Sequence, residues 1–428
     1  MKRSGLQWLQ SLPNFESERT GVPSLESLKG LLHTVGDPQY SFRTIHITGT
    51  NGKSTVASVA THILAVGGVS VGTFSSPDLG ELTDRIMLNG YPVAMDTLDE
   101  ELTSLAQIVD AFRITGLTQF EALTAAAYSL FAMQGVEVGV VEVGMGGTWD
   151  ATNVVEAEVS VITSVGEDHL AQIGPTLQDV ALAKSGIVKP GSTLILGNIR
   201  EDLVEVIERR PHVRTLRLNE QILIANKRQG VGGWMFDLST PRGDYAQLFA
   251  SLRGSHQVEN VALAIAAVEE LKEGSIAHQI VERSVATLAL PGRFEVVAMD
   301  AKKLVVLDVA HNPDAAAHLG ASLTQELPLF KGWIVVFATT HDRSPAEFIR
   351  AIGASSIDLL VSIDLGDPTQ VDPLGVAEIA SSLGVKSELR SDLDSAIFDH
   401  LRALRDDQLL VVTGSHKLVG KVRNLLKG

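Results

Sequence analysis

Short runs rich in Val and Ile alternate with longer helical patterns between residues 43 and 292. The short runs have the length and composition of buried strands, and the longer segments repeat their apolar residues with the period of a helix. Such alternation predicts a parallel sheet covered by helices. Segment 222–238, which mixes short apolar runs with Gly and polar residues, suggests an antiparallel edge. Strands are predicted at 44–48, 70–74, 138–143, 159–164 and 193–197, and helices at 53–66, 121–133, 176–185 and 257–271.

A second alternation follows Pro291 and Gly292, which interrupt the helical pattern and mark a hinge. It has about 130 residues, a normal size for one domain, and the pattern of a small Rossmann-like fold. It lacks the Gly-rich turn of dinucleotide sites, so no NAD site is expected there. We predict two domains, 1–292 and 293–428. The strands predicted in the second are 304–309, 333–338, 359–363 and 409–413.

The composition excludes several functional classes. The 428 residues are 45% hydrophobic and 20% charged, which is enough apolar content for a large core. The formal net charge of −16 argues against binding to nucleic acid or anionic membranes, since both require clustered Lys and Arg. The absence of cysteine excludes disulfides, zinc–thiolate sites and thiol nucleophiles. Residues 1–14 lack the apolar core of a signal peptide, and no apolar run reaches the length of a membrane span, so we expect a soluble, cytoplasmic protein. We also expect a monomer.

A candidate phosphate-binding loop follows the first predicted strand and leads directly into a helical pattern. Glycines let backbone N–H groups turn toward an anion, the helix N-terminus adds its dipole, Lys supplies a cation, and a Ser or Thr hydroxyl binds Mg²⁺. The first Gly lies three residues before the second, whereas the general P-loop has five. The alternative interpretation is a Gly-rich turn that caps a helix. The loop consists of Gly49, Thr50, Asn51, Gly52, Lys53, Ser54 and Thr55.

The loop predicts nucleotide binding by the first domain. A GTPase would need a base-reading Asn-Lys-x-Asp, but Asn226-Lys227 is followed by Arg228-Gln229, which disfavours that class. The predicted fold class is therefore α/β, with a P-loop parallel-sheet ATPase domain followed by a smaller Rossmann-like α/β domain.

Polar residues at the ends of predicted strands are candidates for chemistry. Glu142 lies near the end of the apolar run 138–143, so we expect it at the carboxyl edge of the sheet, where ligands of such folds bind. A carboxylate there suits Mg²⁺, although it could instead pair with a surface lysine. His169 also follows a predicted strand and is either a ligand or a structural histidine. For Lys184 the simplest interpretation is a solvated lysine, and for Ser76 it is a turn residue.

The run from His46 to Thr55 resembles the P-loop of the Mur ligase superfamily, and the remaining motifs are similar to those of the folylpolyglutamate synthase/dihydrofolate synthase family. No single motif is decisive, but their shared order is specific. The chain departs from the family pattern twice. The first departure is Gly-Lys-Ser54-Thr55 in place of Gly-Lys-Gly-Ser, which leaves open whether Ser54 or Thr55 faces the metal. The second is Ser-Pro-Asp78 in place of Ser-Pro-His. The motifs begin at Gly36, Ser75, Asp84, Thr118, Glu142, Asp168, Lys184, Gly254, Pro291, Asp308 and Thr413.

The resemblance implies ATP and Mg²⁺ as cofactors and assigns roles to individual residues. The implied catalytic residues are Lys53, Glu142, His169 and Lys184, the last of them carbamylated so that it helps to hold a second Mg²⁺. The implied metal ligands are Ser76, Glu142 and His169. The implied ATP-binding residues are the phosphate loop, Asn260, Arg293 and Asp308. The implied contacts to a pterin ring are Thr118, Gln119, Phe120, Glu121, Trp149, Asp150 and Ala151, although Phe120 and Trp149 could also be ordinary core residues.

The implied reaction joins L-glutamate to the carboxylate of a pteroate or folate substrate. The γ-phosphoryl group of ATP would activate that carboxylate, with Lys53 and Mg²⁺ neutralising charge, and the glutamate amine would then attack the acyl-phosphate. One alternative is a cell-wall Mur ligase, but the 48 residues before Gly49 are too few for its separate first domain. Another is a nucleotide-gated binding protein, which would not need Glu142, His169 and Lys184 together. Because both pterin motifs are present, we expect a bifunctional enzyme.

Overall fold

The computed structural model describes residues 4–14, 24–167, 170–299 and 303–427. Its strands are β1 (Arg43–Thr48), β2 (Val71–Phe74), β3 (Ile86–Leu88), β4 (Tyr91–Pro92), β5 (Val138–Glu142), β6 (Val159–Ile162), β7 (Thr193–Leu196), β8 (Arg214–Arg217), β9 (Leu223–Gly230), β10 (Gly233–Ser239), β11 (Asp244–Ala250), β12 (Glu295–Ala298), β13 (Leu304–Leu307), β14 (Gly332–Phe337), β15 (Ile357–Ile363), β16 (Ser387–Arg390) and β17 (Gln408–Thr413).

The α-helices in the described ranges are α1 (Gly5–Gln10), α2 (Glu26–Thr34), α3 (Lys53–Val66), α4 (Met95–Phe112), α5 (Gln119–Met133), α6 (Leu170–Ile173), α7 (Leu177–Ser185), α8 (Glu201–Ile207), α9 (Gln257–Lys272), α10 (His278–Thr287), α11 (Pro313–Glu326), α12 (Pro345–Ile352), α13 (Pro373–Ser382), α14 (Leu393–Ala403) and α15 (His416–Lys427). None of them is both long and apolar enough to cross a membrane.

The chain divides into two compact units. One comprises residues 1–227, 235–250 and 259–288, and the other comprises residues 228–234, 251–258 and 289–428. The boundary that the sequence suggests, between residues 292 and 293, remains a prediction.

The first unit is built on one sheet whose described strands lie in the order β4-β3-β2-β5-β1-β6-β7-β8. The six strands from β2 to β8 in this order are parallel, and β3 and β4 add an antiparallel edge. Phe74 is paired with Val141, Ile47 with Glu142, and Thr48 with Ile162. The carboxyl ends of β1, β2, β5 and β6 therefore lie side by side, as the alternating sequence pattern predicted.

Aromatic side chains fill part of the core behind this sheet. Phe42 packs against Tyr128 and Phe131, with ring centroids 5.7 Å and 5.6 Å apart. Glycine makes room for these rings on two strands, because a Cβ at Gly72 would lie 2.6 Å from Phe131, and a Cβ at Gly139 would lie 2.6 Å from Phe42. Any larger residue at either position would displace a ring from a close-packed interior.

The strands of segment 222–238, which we expected to form an antiparallel edge, do not belong to the large sheet. Strands β9, β10 and β11 form a separate three-stranded sheet in the order β11-β10-β9, whereas β8 occupies the edge of the large sheet. The connections between them, residues 231–232 and 240–243, are too short for a parallel crossover, so neighbouring strands run antiparallel. Most of β9 is exposed, and this explains why its sequence shows so little of the apolar pattern of a buried strand.

The second unit contains a sheet whose described strands lie in the order β12-β13-β17-β14-β15-β16. All of its pairs are parallel except β12 with β13. Its two central strands, β14 and β17, are buried along their whole length. Parallel strands with helices between them confirm the predicted Rossmann-like pattern.

Candidate active site

The phosphate-binding loop connects β1 to α3 at the carboxyl edge of the large sheet. Gly49 and Gly52 have φ values of +154° and +88°, which residues with a Cβ rarely adopt. Space also restricts both positions, since a Cβ at Gly49 would collide with Thr163 and a Cβ at Gly52 with Asn260. The loop is thus shaped for backbone that approaches an anion closely at the N-terminus of α3.

Lys53, the first residue of α3, folds back over this loop. Its Nζ donates to the carbonyl oxygens of Gly49 at 2.8 Å and Thr50 at 3.3 Å. The ammonium group therefore lies above the turn where a bound phosphate would meet the backbone amides.

Two hydroxyl residues at the end of β6 brace the phosphate loop, and the sequence analysis did not identify them. Thr163 Oγ1 donates to the carbonyl oxygen of Asn51 at 2.6 Å. The backbone N–H of Asn51 donates to Ser164 Oγ at 2.9 Å, and the N–H of Thr50 donates to the Ser164 carbonyl at 3.0 Å. The sequence does contain a signal for them, because polar residues directly follow the buried strand β6. Since β6 is paired with β1, its end lies beside the phosphate loop.

Asn260, assigned to ATP binding by resemblance alone, lies beside the phosphate loop. It belongs to the first turn of α9, more than 200 residues from the loop in sequence. A Cβ at Gly52 would lie 3.1 Å from its Cγ and 3.3 Å from its Nδ2. The fold therefore brings a side-chain amide to the N-terminus of α3.

Glu142 ends β5 next to the phosphate loop and is 1% exposed. Ser54 Oγ donates to Glu142 Oε1 at 3.1 Å, whereas Thr55 is 2% exposed and faces the interior of the unit. Of the two candidate hydroxyls, Ser54 is the one placed beside this carboxylate.

Lys184 lies on α7 and extends to the side of the phosphate loop, and its side chain is buried, at 3% exposure. The loop after Glu142 is tied to this helix, since the backbone N–H of Thr148 donates to the Ala183 carbonyl at 2.9 Å. A small cleft results, and it is lined by Thr48, Gly49, Lys53, Val143, Gly144, Met145, Gly146, Ile173 and Lys184. A buried lysine in this cleft differs from the solvated lysine that its helical context suggested.

The surroundings of Glu142 suit a hard divalent cation, because a carboxylate and a hydroxyl supply oxygen ligands. Ser76 follows β2 by two residues at the same edge of the sheet, as the pairing of Phe74 with Val141 shows. His169 lies outside the described residues. Within the described part of the chain, no group of three or more His, Asp or Glu could hold a metal ion. The assignment of Ser76, Glu142 and His169 to a metal remains a prediction.

A buried polar network holds the loop that follows Glu142. Asp150 Oδ1 accepts a hydrogen bond from the Thr152 N–H at 2.9 Å and another from the Thr152 hydroxyl, and its Oδ2 accepts one from the Met145 N–H at 2.9 Å. Burial raises the pKa of Asp150, and the hydrogen bonds from Thr152 and from the backbone oppose that shift. The Asp150 carboxylate therefore stabilises the conformation of this loop, in addition to any role in substrate binding.

His46 extends this network into strand β1. It is fully buried on β1, and its Nε2 lies 2.9 Å from Thr152 Oγ1. Burial lowers the pKa of His46 to about 3, and the positive charge of Lys189 acts in the same direction. Thr48, two residues further along β1, donates to the Gly146 carbonyl at 2.7 Å. Strand β1 is thus joined twice to the loop after Glu142.

The two motifs predicted to meet a pterin converge at Gly144. A Cβ there would lie 2.8 Å from the Phe120 ring and 3.2 Å from Asp150 Oδ2. Phe120 is half-buried and lies 5.6 Å from the Phe74 ring between centroids. Ala151 is buried, whereas Trp149 is partly exposed and lies against Gly146.

Thr118 and Glu121 form a capping box at the N-terminus of α5, which the sequence analysis missed. The N–H and the hydroxyl of Thr118 both donate to Glu121 Oε2 at 2.8 Å. Gln119 Nε2 donates to the Leu12 carbonyl at 3.0 Å. These polar groups fix the start of α5 and the position of Phe120, and contact with substrate remains a prediction for all four residues.

Arg293 and Asp308 lie together in the second unit. Asp308 Oδ2 accepts from the Phe294 N–H at 2.7 Å, and its Oδ1 accepts from the Ala310 N–H at 2.8 Å. Burial raises the pKa of Asp308, whereas the charge of Arg293 lowers it. The pair supplies a guanidinium beside a fixed carboxylate, and its role in ATP binding remains a prediction.

The chain belongs to the Mur ligase family, and the parallel sheet, the phosphate loop and the second α/β unit agree with this class. Residues 47–268 match the Mur ligase middle domain, and residues 292–416 match the Mur ligase glutamate ligase domain. The two matches place the chain among ligases and assign its C-terminal part to a glutamate ligase domain.

Within this class the chain belongs to the dihydrofolate synthase/folylpolyglutamate synthase family. It is 30% identical to a Bacillus subtilis dihydrofolate synthase/folylpolyglutamate synthase over 95% of each chain. A Mycobacterium tuberculosis folylpolyglutamate synthase complexed with ADP is similar in structure, with a TM-score of 0.90, 29% identity and coverage of 99% of this chain and 97% of that one. An Escherichia coli FolC in complex with DHPP and ADP has a TM-score of 0.87, 26% identity and coverage of 99% and 98%. These likenesses confirm the folate-ligase interpretation over both alternatives.

Proposed function

We propose that the protein uses ATP to join L-glutamate first to dihydropteroate and then to reduced folates, within one active site in the cytoplasm and as a monomer. The observation that carries the ligase chemistry of this proposal is the convergence of Lys53, Glu142, Ser54 and Lys184 around the phosphate loop. Its chemistry would be transfer of a phosphoryl group to a carboxylate, followed by amide formation.

In the first step a carboxylate oxygen of the substrate attacks the γ-phosphorus of ATP, and ADP leaves. The backbone amides of the loop hold the phosphates, and the Lys53 ammonium, 2.8 Å from the Gly49 carbonyl, offsets their negative charge. In the second step the glutamate amine attacks the acyl-phosphate carbonyl, and inorganic phosphate carries away one oxygen of the original carboxylate. No protein nucleophile is required, which agrees with a chain that has no cysteine.

Glu142 and Ser54 fit a magnesium ion, because they place a carboxylate and a hydroxyl 3.1 Å apart beside the phosphate loop. Ser76 and His169 would complete the protein ligands. Magnesium bound there would neutralise charge on the phosphates. Glu142 is buried to 1% exposure, so a cation at this edge would also compensate the cost of burying its charge.

A carbamate on Lys184 is the second part of the metal proposal. The side chain is 3% exposed and lies in the cleft that Lys53 also lines, so an unmodified Lys184 would place two cations near each other. Carbamylation would turn the second cation into an anion. This change would favour a second Mg²⁺ and relieve the repulsion between the two lysines.

The pterin end of the substrate would bind near Phe120, Trp149 and Asp150. The similar E. coli FolC is in complex with DHPP together with ADP, which supports a pterin-type substrate for this chain. Two docking modes of the ring would be needed, because the reacting carboxylate lies at different distances from the ring in dihydropteroate and in a folate. Each mode must bring that carboxylate to near contact with the γ-phosphate.

The test is product formation with two substrates. Purified protein is incubated with Mg-ATP and ¹⁵N-glutamate, with either dihydropteroate or tetrahydrofolate as acceptor, and products are identified by mass spectrometry. We expect a labelled amide with both acceptors, competition between them, and loss of both products in Lys53→Ala. Activity with one acceptor would reduce the proposal to a monofunctional synthase, and activity with neither would overturn it.

A further inference from the structure

The loop that carries Ser76 is closed by hydrogen bonds at its neck and by one ion pair. The loop runs from Ser75 to Arg85 between β2 and β3. The backbone N–H of Ser75 donates to the Arg85 carbonyl at 2.9 Å, and Ser75 Oγ donates to the Asp84 carbonyl at 3.4 Å. These two bonds close the neck of the loop on one side of Ser76.

Asp78 closes the other side. Arg85 Nε donates to Asp78 Oδ2 at 2.7 Å, and the Gly80 N–H donates to Asp78 Oδ1 at 3.3 Å. The side chains of Asp78 and Arg85 are 26% and 22% exposed, so water reaches the pair only in part.

We propose that Asp78 and Arg85 are positioning residues that hold Ser76 at the carboxyl edge of the sheet. Arg85 binds Ser75 through its carbonyl oxygen and Asp78 through its guanidinium, so one residue fixes the chain immediately before and shortly after Ser76. This inference rests on the proposed function in one respect, because Ser76 matters to the reaction as a ligand for Mg²⁺.

The size of the effect follows from the exposure of the pair. Partly exposed ion pairs stabilise a conformation by an amount that corresponds to about a 2- to 5-fold change in population. Removal of the Asp78 charge should therefore raise the Mg²⁺ concentration for half-maximal ligation by about 2- to 5-fold. Salt should have a similar effect on the wild type, since it screens the pair.

The experiment is a double-mutant cycle of Asp78→Asn, Arg85→Gln and both together, with Asp78→Glu as the conservative variant. Asp202→Asn is the matched control, because it removes another Arg–Asp pair of the same unit, in which Arg200 Nη2 lies 2.6 Å from Asp202 Oδ2. Each protein is measured in two ways: amide exchange of the peptide that contains residues 75–85, and the Mg²⁺ titration of glutamate ligation. Ser76→Ala is titrated in parallel.

We expect faster amide exchange and a roughly 2- to 5-fold higher Mg²⁺ requirement in both single variants, and no further change in the double variant. Asp78→Glu should recover part of the wild-type behaviour, and Asp202→Asn should behave as the wild type does. Additive effects of the two substitutions, or wild-type exchange in Asp78→Asn, would overturn the inference. A shifted titration in Ser76→Ala with wild-type behaviour in Asp78→Asn would refute the inference and leave the metal proposal intact. A wild-type titration in Ser76→Ala would instead refute the metal role of Ser76, and the exchange data would still decide whether the pair closes the loop.

Discussion

His46 should make the first unit less stable as the pH falls from 8 to 5. Burial lowers the pKa of His46 in the folded protein to about 3 from its ordinary value of 6.5. In the unfolded chain this histidine takes up a proton below pH 6.5, whereas the folded protein excludes that proton until about pH 3. The unfolded state therefore binds more protons in this window, and the stabilising effect of the neutral histidine is fully present above pH 6.5 and lost as the pH falls.

The magnitude follows from the same two pKa values. At pH 5 the unfolded state gains about 2 kcal/mol from protonation of this one group, while the folded state gains almost nothing. Asp150, in the same unit, acts in the opposite direction, because burial raises its pKa. The wild type must therefore be compared with a variant that lacks only the His46 titration.

The variant His46→Gln keeps a polar nitrogen near Thr152 but does not titrate. Amide exchange of the peptide that contains β1 gives the free energy of unfolding of this unit at each pH. The wild type should lose about 2 kcal/mol relative to His46→Gln between pH 8 and pH 5. His33→Asn, which removes a histidine with an 84% exposed side chain, serves as the control. Parallel curves for the wild type and His46→Gln would show that His46 is protonated in the folded protein, which would refute the reasoning.

Further predictions concern the site itself. Lys53→Ala should lower kcat/KM by about 100-fold or more with an unchanged circular dichroism spectrum, because it removes a phosphate-binding cation from a loop. Glu142→Gln and His169→Ala should each raise the Mg²⁺ requirement in a titration of activity, and unchanged curves for both would remove the metal assignment. Labelled bicarbonate should give a carbamate ¹³C signal that Lys184→Ala lacks, and a wild type without that signal would leave Lys184 an ordinary lysine.

The sequence predicts the local features of this site well. A glycine-rich turn between a buried strand and a helix has few conformations available, so the phosphate loop could be placed from its residues. Glu142 could be placed at the carboxyl edge because it ends an apolar run, and parallel strands end together. Both predictions depend on short-range patterns that are visible in a single sequence.

The features that the sequence did not reveal depend on long-range contacts. Ser164 and Asn51 are 113 positions apart, and His46 and Thr152 are 106 apart, so their hydrogen bonds follow from the order of strands in the sheet. The capping box of Thr118 and Glu121 is an exception, because a Thr followed three residues later by a Glu at the start of a helix is a local pattern. The burial of Lys184 could not be predicted, because the loop that covers it comes from another strand.

The path of a carboxylate oxygen tests the central claim most directly. Dihydropteroate labelled with ¹⁸O in its carboxylate is incubated with Mg-ATP, L-glutamate and the purified protein, and the released phosphate is analysed by mass spectrometry. An acyl-phosphate intermediate predicts one ¹⁸O atom in each phosphate that accompanies an amide product. Unlabelled phosphate alongside the amide, or the label in AMP, would contradict this account.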